Sequence, residues 1–364
     1  MNASIPAGDV ASIGVSNVTV TASSKTSAPQ TFFVGNSGGT GFAEVEIDQY
    51  SNDIVNDPVN NVLYLSVPGA ATTNGNTISV ISLATAQITS SPFAGSNPDA
   101  LAISDDSAYL YVGLDGSASV QRFTLPSLAT DISIPLGRNS FFGAYFALDL
   151  QVAPGAPHTT AISLGNFGVS PAAIGGIVIF DDSTARPTIA KGFGPGGGGG
   201  VLYDSIQWGA DDTALYAANN EDTGFDFYTL TVNASGVTLA NDYPSDFSEF
   251  FERIHFDSGT KLIYSDDGHA IDPSTGNPVG QFSGTTGIMV PDSTLDRAFF
   301  VGQATGTTAE IQAFDLMKFS KIGSPITIPN VSESPTQIVR WGNNGLAFIT
   351  YQGSVYLVGG NFVH

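Results

Sequence analysis

Ala100-Leu101-Ala102-Ile103-Ser104-Asp105-Asp106-Ser107-Ala108-Tyr109-Leu110-Tyr111 reads as an apolar strand, a polar turn and a second strand carrying a Leu-Tyr pair. The pattern returns at Asp53-Ile54-Val55 with Leu63-Tyr64. It returns again at Ser205-Ile206-Gln207-Trp208 with Leu215-Tyr216, and at Arg253-Ile254-His255-Phe256 with Ile263-Tyr264. In each copy a first-strand residue precedes the tyrosine by eight positions: 56 and 64, 103 and 111, 208 and 216, 256 and 264. Weaker copies follow at Phe299-Phe300 and Ala347-Phe348, and the most degenerate runs through 158–163. Aligned on positions 64, 111, 162, 216, 264, 300 and 348, the units step by 36 to 54 residues. Repeats of about 40–50 residues, each holding several short strands, are the mark of a β-propeller. The count predicts an all-β chain of seven blades.

Each unit carries a further strand, such as Thr77-Ile78-Ser79-Val80-Ile81 or Ile311-Gln312-Ala313-Phe314-Asp315, and most carry a fourth, such as Pro325-Ile326-Thr327-Ile328. The last unit runs out after Leu357-Val358, while an orphan strand at 42–48 precedes the first. Open sheet edges invite aggregation, so a ring must join its ends. Residues 42–48 are therefore expected to supply the closing strand of the seventh blade. The propeller is expected over 36–364, with 1–35 as a separate short β segment.

The 364 residues are 42% hydrophobic, enough for a large core. The 42 Gly and 20 Pro fall between strands, where turns require them. Only 11 basic residues stand against 33 acidic, a net charge of −22. Such a chain repels phosphate, which argues against nucleic acid and anionic membrane surfaces as partners. With no cysteine it has no disulfide, thiolate metal site or cysteine nucleophile. Met1-Asn2-Ala3-Ser4 opens no basic region followed by an apolar one, so no signal peptide is expected there. No apolar run suits a membrane helix.

Two stretches carry the appearance of family membership. Ile5-Pro6-Ala7-Gly8-Asp9-Val10 and Val18-Thr19-Val20 resemble the C-terminal end of bacterial immunoglobulin-like domains. That resemblance covers about the last third of such a domain and implies that earlier strands are missing. Asp57-Pro58-Val59-Asn60-Asn61-Val62-Leu63-Tyr64, 104–112 and Ile271-Asp272-Pro273-Ser274-Thr275-Gly276 resemble the secreted and surface bacterial propellers of the YVTN/lactonase-like superfamily. This second resemblance spans roughly residues 50–358. It implies an extracellular or cell-surface location, but its motifs specify blades and leave activity open.

Chemical motifs are few. Gly35-Asn36-Ser37-Gly38-Gly39 matches a nucleophile elbow without the strand-to-helix turn that motif requires, and reads as a linker. Gly192-Phe193-Gly194-Pro195-Gly196-Gly197 matches a dinucleotide fingerprint, but Pro195 and the glycine run forbid its helix. The four histidines form no zinc pair. Glu221 and Asp222 lie in one acidic loop, and Asp266 and Asp267 in the equivalent loop of the next blade. These loops read first as solvated turns and, in the alternative, as a calcium-binding rim. Lactonase-like relatives gather polar groups in the central channel, and the inner-strand candidates for ligand binding are Gln207, Arg253, His255 and Arg340. Trp208 and Trp341 share a frame and read as inter-blade packing. No catalytic residue or other cofactor is indicated. The expected function is a non-enzymatic binding, scaffold or assembly module. Its partner is a protein or glycan at one face, with self-association through 1–35. The alternatives are a metal-assisted hydrolase or lyase in the channel and a carbohydrate-binding propeller.

Overall fold

The computed structural model describes residues 13–22, 24–27, 30–39, 42–192, 201–244, 246–285 and 287–363. The turn at 5–10, most of the glycine run and His364 lie outside the described residues. Seven antiparallel sheets form the ring. Blade 1 runs Asp53–Asp57, Val62–Val67, Thr77–Ser82 and Gln87–Ser90 from inside to outside. Blades 2, 4, 5 and 6 repeat this order, with inner strands Pro98–Ile103, Ser205–Trp208, Ile254–Asp257 and Ile288–Asp292. Blade 3, the degenerate unit, has a long inner pair, Gly143–Ala153 and Ala156–Asn166.

Blade 7 is assembled from both ends of the chain. Phe42–Ile47 pairs with Val355–Gly360, in a register from Val355 opposite Ile47 to Gly360 opposite Phe42. Asn36–Gly39 adds a fifth strand outside it, so the apparent linker is sheet. Before it, Gly14–Val18 pairs with Gln30–Val34 as a hairpin. The hairpin is tied to the ring through Phe33, which is 7% exposed and meets Trp341 edge-on with ring centroids 5.3 Å apart. Val18 and Val20, further out along the hairpin, are exposed.

The core is divided among the blade interfaces. Each of the seven buried apolar clusters joins two neighbouring blades, as Tyr64, Leu101 and Leu110 join blades 1 and 2. Strand alternation makes this possible: Tyr64 faces blade 2, whereas Leu63 and Leu65 face blade 7. The same rule corrects the sequence alignment. In the observed register Val55 is opposite Tyr64 and His255 is opposite Tyr264, and the equivalent partners in blades 3, 6 and 7 are Ala161, Phe299 and Ala347. Positions 162, 300 and 348 are each one residue too late. A one-residue slip turns a side chain to the opposite face, and Phe300 and Phe348 indeed pack on the other side of their sheets.

Phe33 contributes to the core from outside the repeat. Phe33→Ala should lower unfolding free energy by about 3–5 kcal/mol, whereas Val20→Ala, on an exposed site, should leave it within about 0.5 kcal/mol. Urea denaturation of the two variants checks this. Equal stabilities would mean that the hairpin does not hold the ring.

Candidate functional site

The chain direction gives the two faces of the ring different loops. Loops from second to third strands, and connections from an outer strand to the next inner strand, emerge on one face, here the upper. Each inner strand begins at that face. The residues just before the equivalent positions Ile54, Leu101, Leu150, Ile206, Ile254, Met289 and Ile338 are, around the ring, Asp53, Ala100, Asp149, Ser205, Arg253, Ile288 and Gln337.

Most polar members of this set cap the next blade. Asp53 Oδ2 accepts the Leu101 N–H at 2.7 Å, Asp149 Oδ2 the Ile206 N–H at 2.7 Å, and Ser205 Oγ the Ile254 N–H at 3.2 Å. Gln337 Oε1 accepts the Ile54 N–H at 3.2 Å. Buried inner-strand donors need such acceptors, and Ile54 N–H has a second one in Asp53 Oδ1 at 2.7 Å. Blade 5 departs from the pattern because Arg253 is a cation and accepts nothing. Asp266, from the loop after the second strand, caps Met289 N–H at 2.8 Å instead, and its other oxygen accepts Arg253 N–H at 2.9 Å.

The Arg253 side chain is thereby left to the channel. The channel is a cavity of about 350 Å³ lined by all seven inner strands, including Asp149, Gln151, Gln207, Arg253, His255, Asp266 and Gln337. Arg253 is accessible to the solvent inside the ring, and its guanidinium makes no hydrogen bond or ion pair with the described residues. Burial acts to lower its pKa, but the surrounding Asp53, Asp149, Asp266 and Asp99 raise it, so it stays charged. Burial pushes Asp53 up to about 6 against the opposing pull of Arg253, and raises Asp149 in the same way. His255 Nε2 lies 2.9 Å from Asp266 Oδ1.

Three of the four expected channel residues, Gln207, Arg253 and His255, therefore line one cavity. Arg340 does not. It is three residues beyond Gln337 and equivalent to Phe256, and it is held by Asp292 at 2.9 Å and by the carbonyls of Gly345 and Asn343. Both tryptophans are core residues of blade interfaces, at 4% and 1% exposure.

The acidic loops are spent largely on the fold. Glu221 Oε2 accepts Ala172 N–H at 2.5 Å, and Asp222 N–H donates to Asn219 Oδ1. Asp267 accepts from Ser248, Ser265 and the His269 backbone, and its Oδ2 lies 2.7 Å from His269 Nδ1. Burial would raise Asp267, but His269 and Ser265 outweigh it and hold the carboxyl at about 2. Among the described residues, no group of three or more His, Asp or Glu side chains is placed to hold a metal ion.

Two carboxylates that the sequence did not single out flank the channel mouth. Glu252 is 3% exposed. Its Oε2 accepts Asp267 N–H at 3.2 Å, and its Oε1 meets no donor. Burial, then the charge of Asp267, push it up to about 10. Asp204 is 8% exposed, and its Oδ2 caps Asn220 at 2.8 Å and Glu221 at 3.1 Å while Oδ1 meets no donor. Burial raises it to about 7. Between them stands Phe251, 77% exposed, in the left-handed region at φ +61°.

Phe251 belongs to a wider pattern. The large exposed aromatic side chains among the described residues are Phe93, Phe141, Phe167, Phe250, Phe251 and Tyr351. All six lie in loops of the upper face.

No protein-family model matches the chain, and no curated protein does. Solved structures do. Kuenenia stuttgartiensis hydrazine synthase superimposes with a TM-score of 0.62 at 13% identity, covering 88% of this chain and 98% of that one. The β-propeller domain of Myceliophteria thermophila Cps50 (Swd1) gives a TM-score of 0.62 at 12% identity, covering 86% and 98%. At these identities the likeness establishes the propeller fold alone.

An acid whose pKa is higher folded than unfolded keeps its proton longer in the native state, so stability falls as pH rises between the two values. For Glu252 that window runs from 4.5 to about 10, and for Asp204 from 3.8 to about 7. The melting temperature should fall between about pH 5 and pH 9, and Glu252→Gln should flatten that fall. Asp267, held near 2, acts below this window. A pH profile unchanged by Glu252→Gln would contradict the assignment.

Proposed function

We propose that the chain is a non-enzymatic binding module whose partner docks on the upper face, over the channel mouth. The observation that carries this reading is the placement of all six large exposed aromatic side chains in upper-face loops. Large apolar side chains gathered on one face mark an interaction surface. The open guanidinium of Arg253 and the two under-used carboxylates supply polar contacts at the centre of the same face. In the same reading the chain is an extracellular or cell-surface propeller of the lactonase-like type, with residues 1–35 as the end of an immunoglobulin-like domain. The blade motifs quoted above support this, and surface labelling of intact source cells decides the location.

An array of basic, acidic and neutral peptides and neutral oligosaccharides tests the reading. Ligands retained by the native chain should be lost by a variant carrying Phe93→Ser, Phe167→Ser and Tyr351→Ser. They should be kept by Val59→Ser and Met317→Ser, on the lower face. Loss through the lower-face variants would overturn the proposal. So would turnover of a lactone, ester or glycoside that disappears with His255→Ala, which would place an enzyme in the channel.

A further inference from the structure

We propose that the clefts on either side of Phe251 receive the cationic side chains of a lysine- or arginine-bearing segment of a protein partner. This rests on the upper face being the binding face, and it names the chemistry of what binds there.

The first cleft, about 540 Å³, is lined by Ser248, Glu249, Phe250, Phe251, Glu252 and Asp267 among others. The second, about 210 Å³, is lined by Asp149, Asp204, Asn220, Glu221, Phe251 and Arg253 among others. Phe251 is common to both. Each cleft contains a carboxylate more than nine-tenths buried with one oxygen that no donor reaches: Glu252 Oε1 in the first and Asp204 Oδ1 in the second. A carboxyl buried with too few donors is costly to ionise and so holds its proton, and a charged donor entering beside it offsets that cost most fully.

A hydroxyl could also donate to these oxygens. The surrounding charge favours a cation. No lysine or arginine lines the first cleft, which carries Glu249, Glu252, Asp266 and Asp267. The second sets Asp149, Asp204 and Glu221 against the single Arg253. The exposed face of Phe251, with Phe250 beside it at a centroid distance of 6.3 Å, offers the π surface that ammonium and guanidinium groups prefer. The net charge of −22 steers a basic partner toward the chain at long range.

Glu252 also couples binding to protons. Facing it are Asp266 and Asp267 from the turn between the blade-5 strands, Asp267 being paired in turn with His269, with Glu249 and Arg253 on its own segment. A cation entering the cleft displaces the proton that burial keeps on Glu252, and that proton passes to solvent. Binding should therefore tighten as pH rises toward about 9.

Fluorescence anisotropy with labelled hexalysine and the full chain tests the proposal, with hexa-acetyl-lysine, maltohexaose and calcium chloride as separate probes. Hexalysine should bind and hexa-acetyl-lysine should not. Raising salt from about 0.05 M to about 0.5 M should weaken the complex strongly. Glu252→Gln, Asp204→Asn and Phe251→Ser should each weaken it about tenfold, while Asp211→Asn and Asp296→Asn on the lower face should not. Melting curves establish that each variant is folded. Hexalysine affinity untouched by all three upper-face variants would overturn the inference, as would calcium binding that Glu252→Gln removes. Maltohexaose binding lost with Phe251→Ser would overturn it too while leaving the upper-face reading standing. Failure of every probe to reach the upper face would remove both.

Discussion

The capping of inner-strand N–H groups by side chains from the preceding blade is the constraint on which the rest of the ring turns. An inner strand has a sheet partner on one side only, and on the other it faces the channel or the next blade. Its first donors must find acceptors across the blade boundary. Asp53, Asp149, Ser205 and Gln337 meet this need from one equivalent position, each tying its blade to the next. The apolar clusters at each interface then supply the bulk of the stabilisation, and the pairing of Phe42–Ile47 with Val355–Gly360 leaves the last blade without a bare edge.

Function can be read as a departure from this rule. Blade 5 places Arg253 where its neighbours place acceptors, and it brings in Asp266 from a different loop to do the capping. The exchange sets a charged side chain free in the channel mouth and draws an unusual density of carboxylates around it. The 246–252 connection just before Arg253 carries three phenylalanines, of which Phe247 is buried in the interface of blades 4 and 5 while Phe250 and Phe251 remain in water. One buried ring fixes the segment, and the other two stay exposed beside it. The lower face has no comparable combination among the described residues.

Much of the architecture was legible because strand alternation and turn residues recur on a period, and recurrence is visible without coordinates. The strands expected at 77–81, 311–315 and 42–48 are present. What failed was fine register: in blades 3, 6 and 7 the tyrosine position holds Ala161, Phe299 and Ala347, so alignment on the neighbouring Ile162, Phe300 and Phe348 slipped by one. The candidate site was legible in part. Gln207, Arg253 and His255 share inner-strand positions that converge by symmetry, whereas Arg340 was aligned by its neighbour Trp341 and falls at another level. Glu252, Asp204 and the aromatic rim escaped notice, since their meaning depends on which loops share a face and which oxygens find donors. The Glu249-Phe250-Phe251-Glu252-Arg253 run was the available signal: consecutive aromatic residues set among charges in a connection between blades.

Native-state hydrogen exchange of the full chain, alone and with hexalysine, addresses the central claim most directly, because it reads the ring and the face together. In the free chain the amides of Leu101, Ile206, Ile254 and Met289, capped across blade boundaries, should be among the slowest to exchange. Hexalysine should slow exchange at 219–222 and 248–253 and leave the lower-face turns at 58–61 and 293–296 unchanged. Fast exchange at the capped amides, or ligand protection confined to the lower-face turns, would contradict the account.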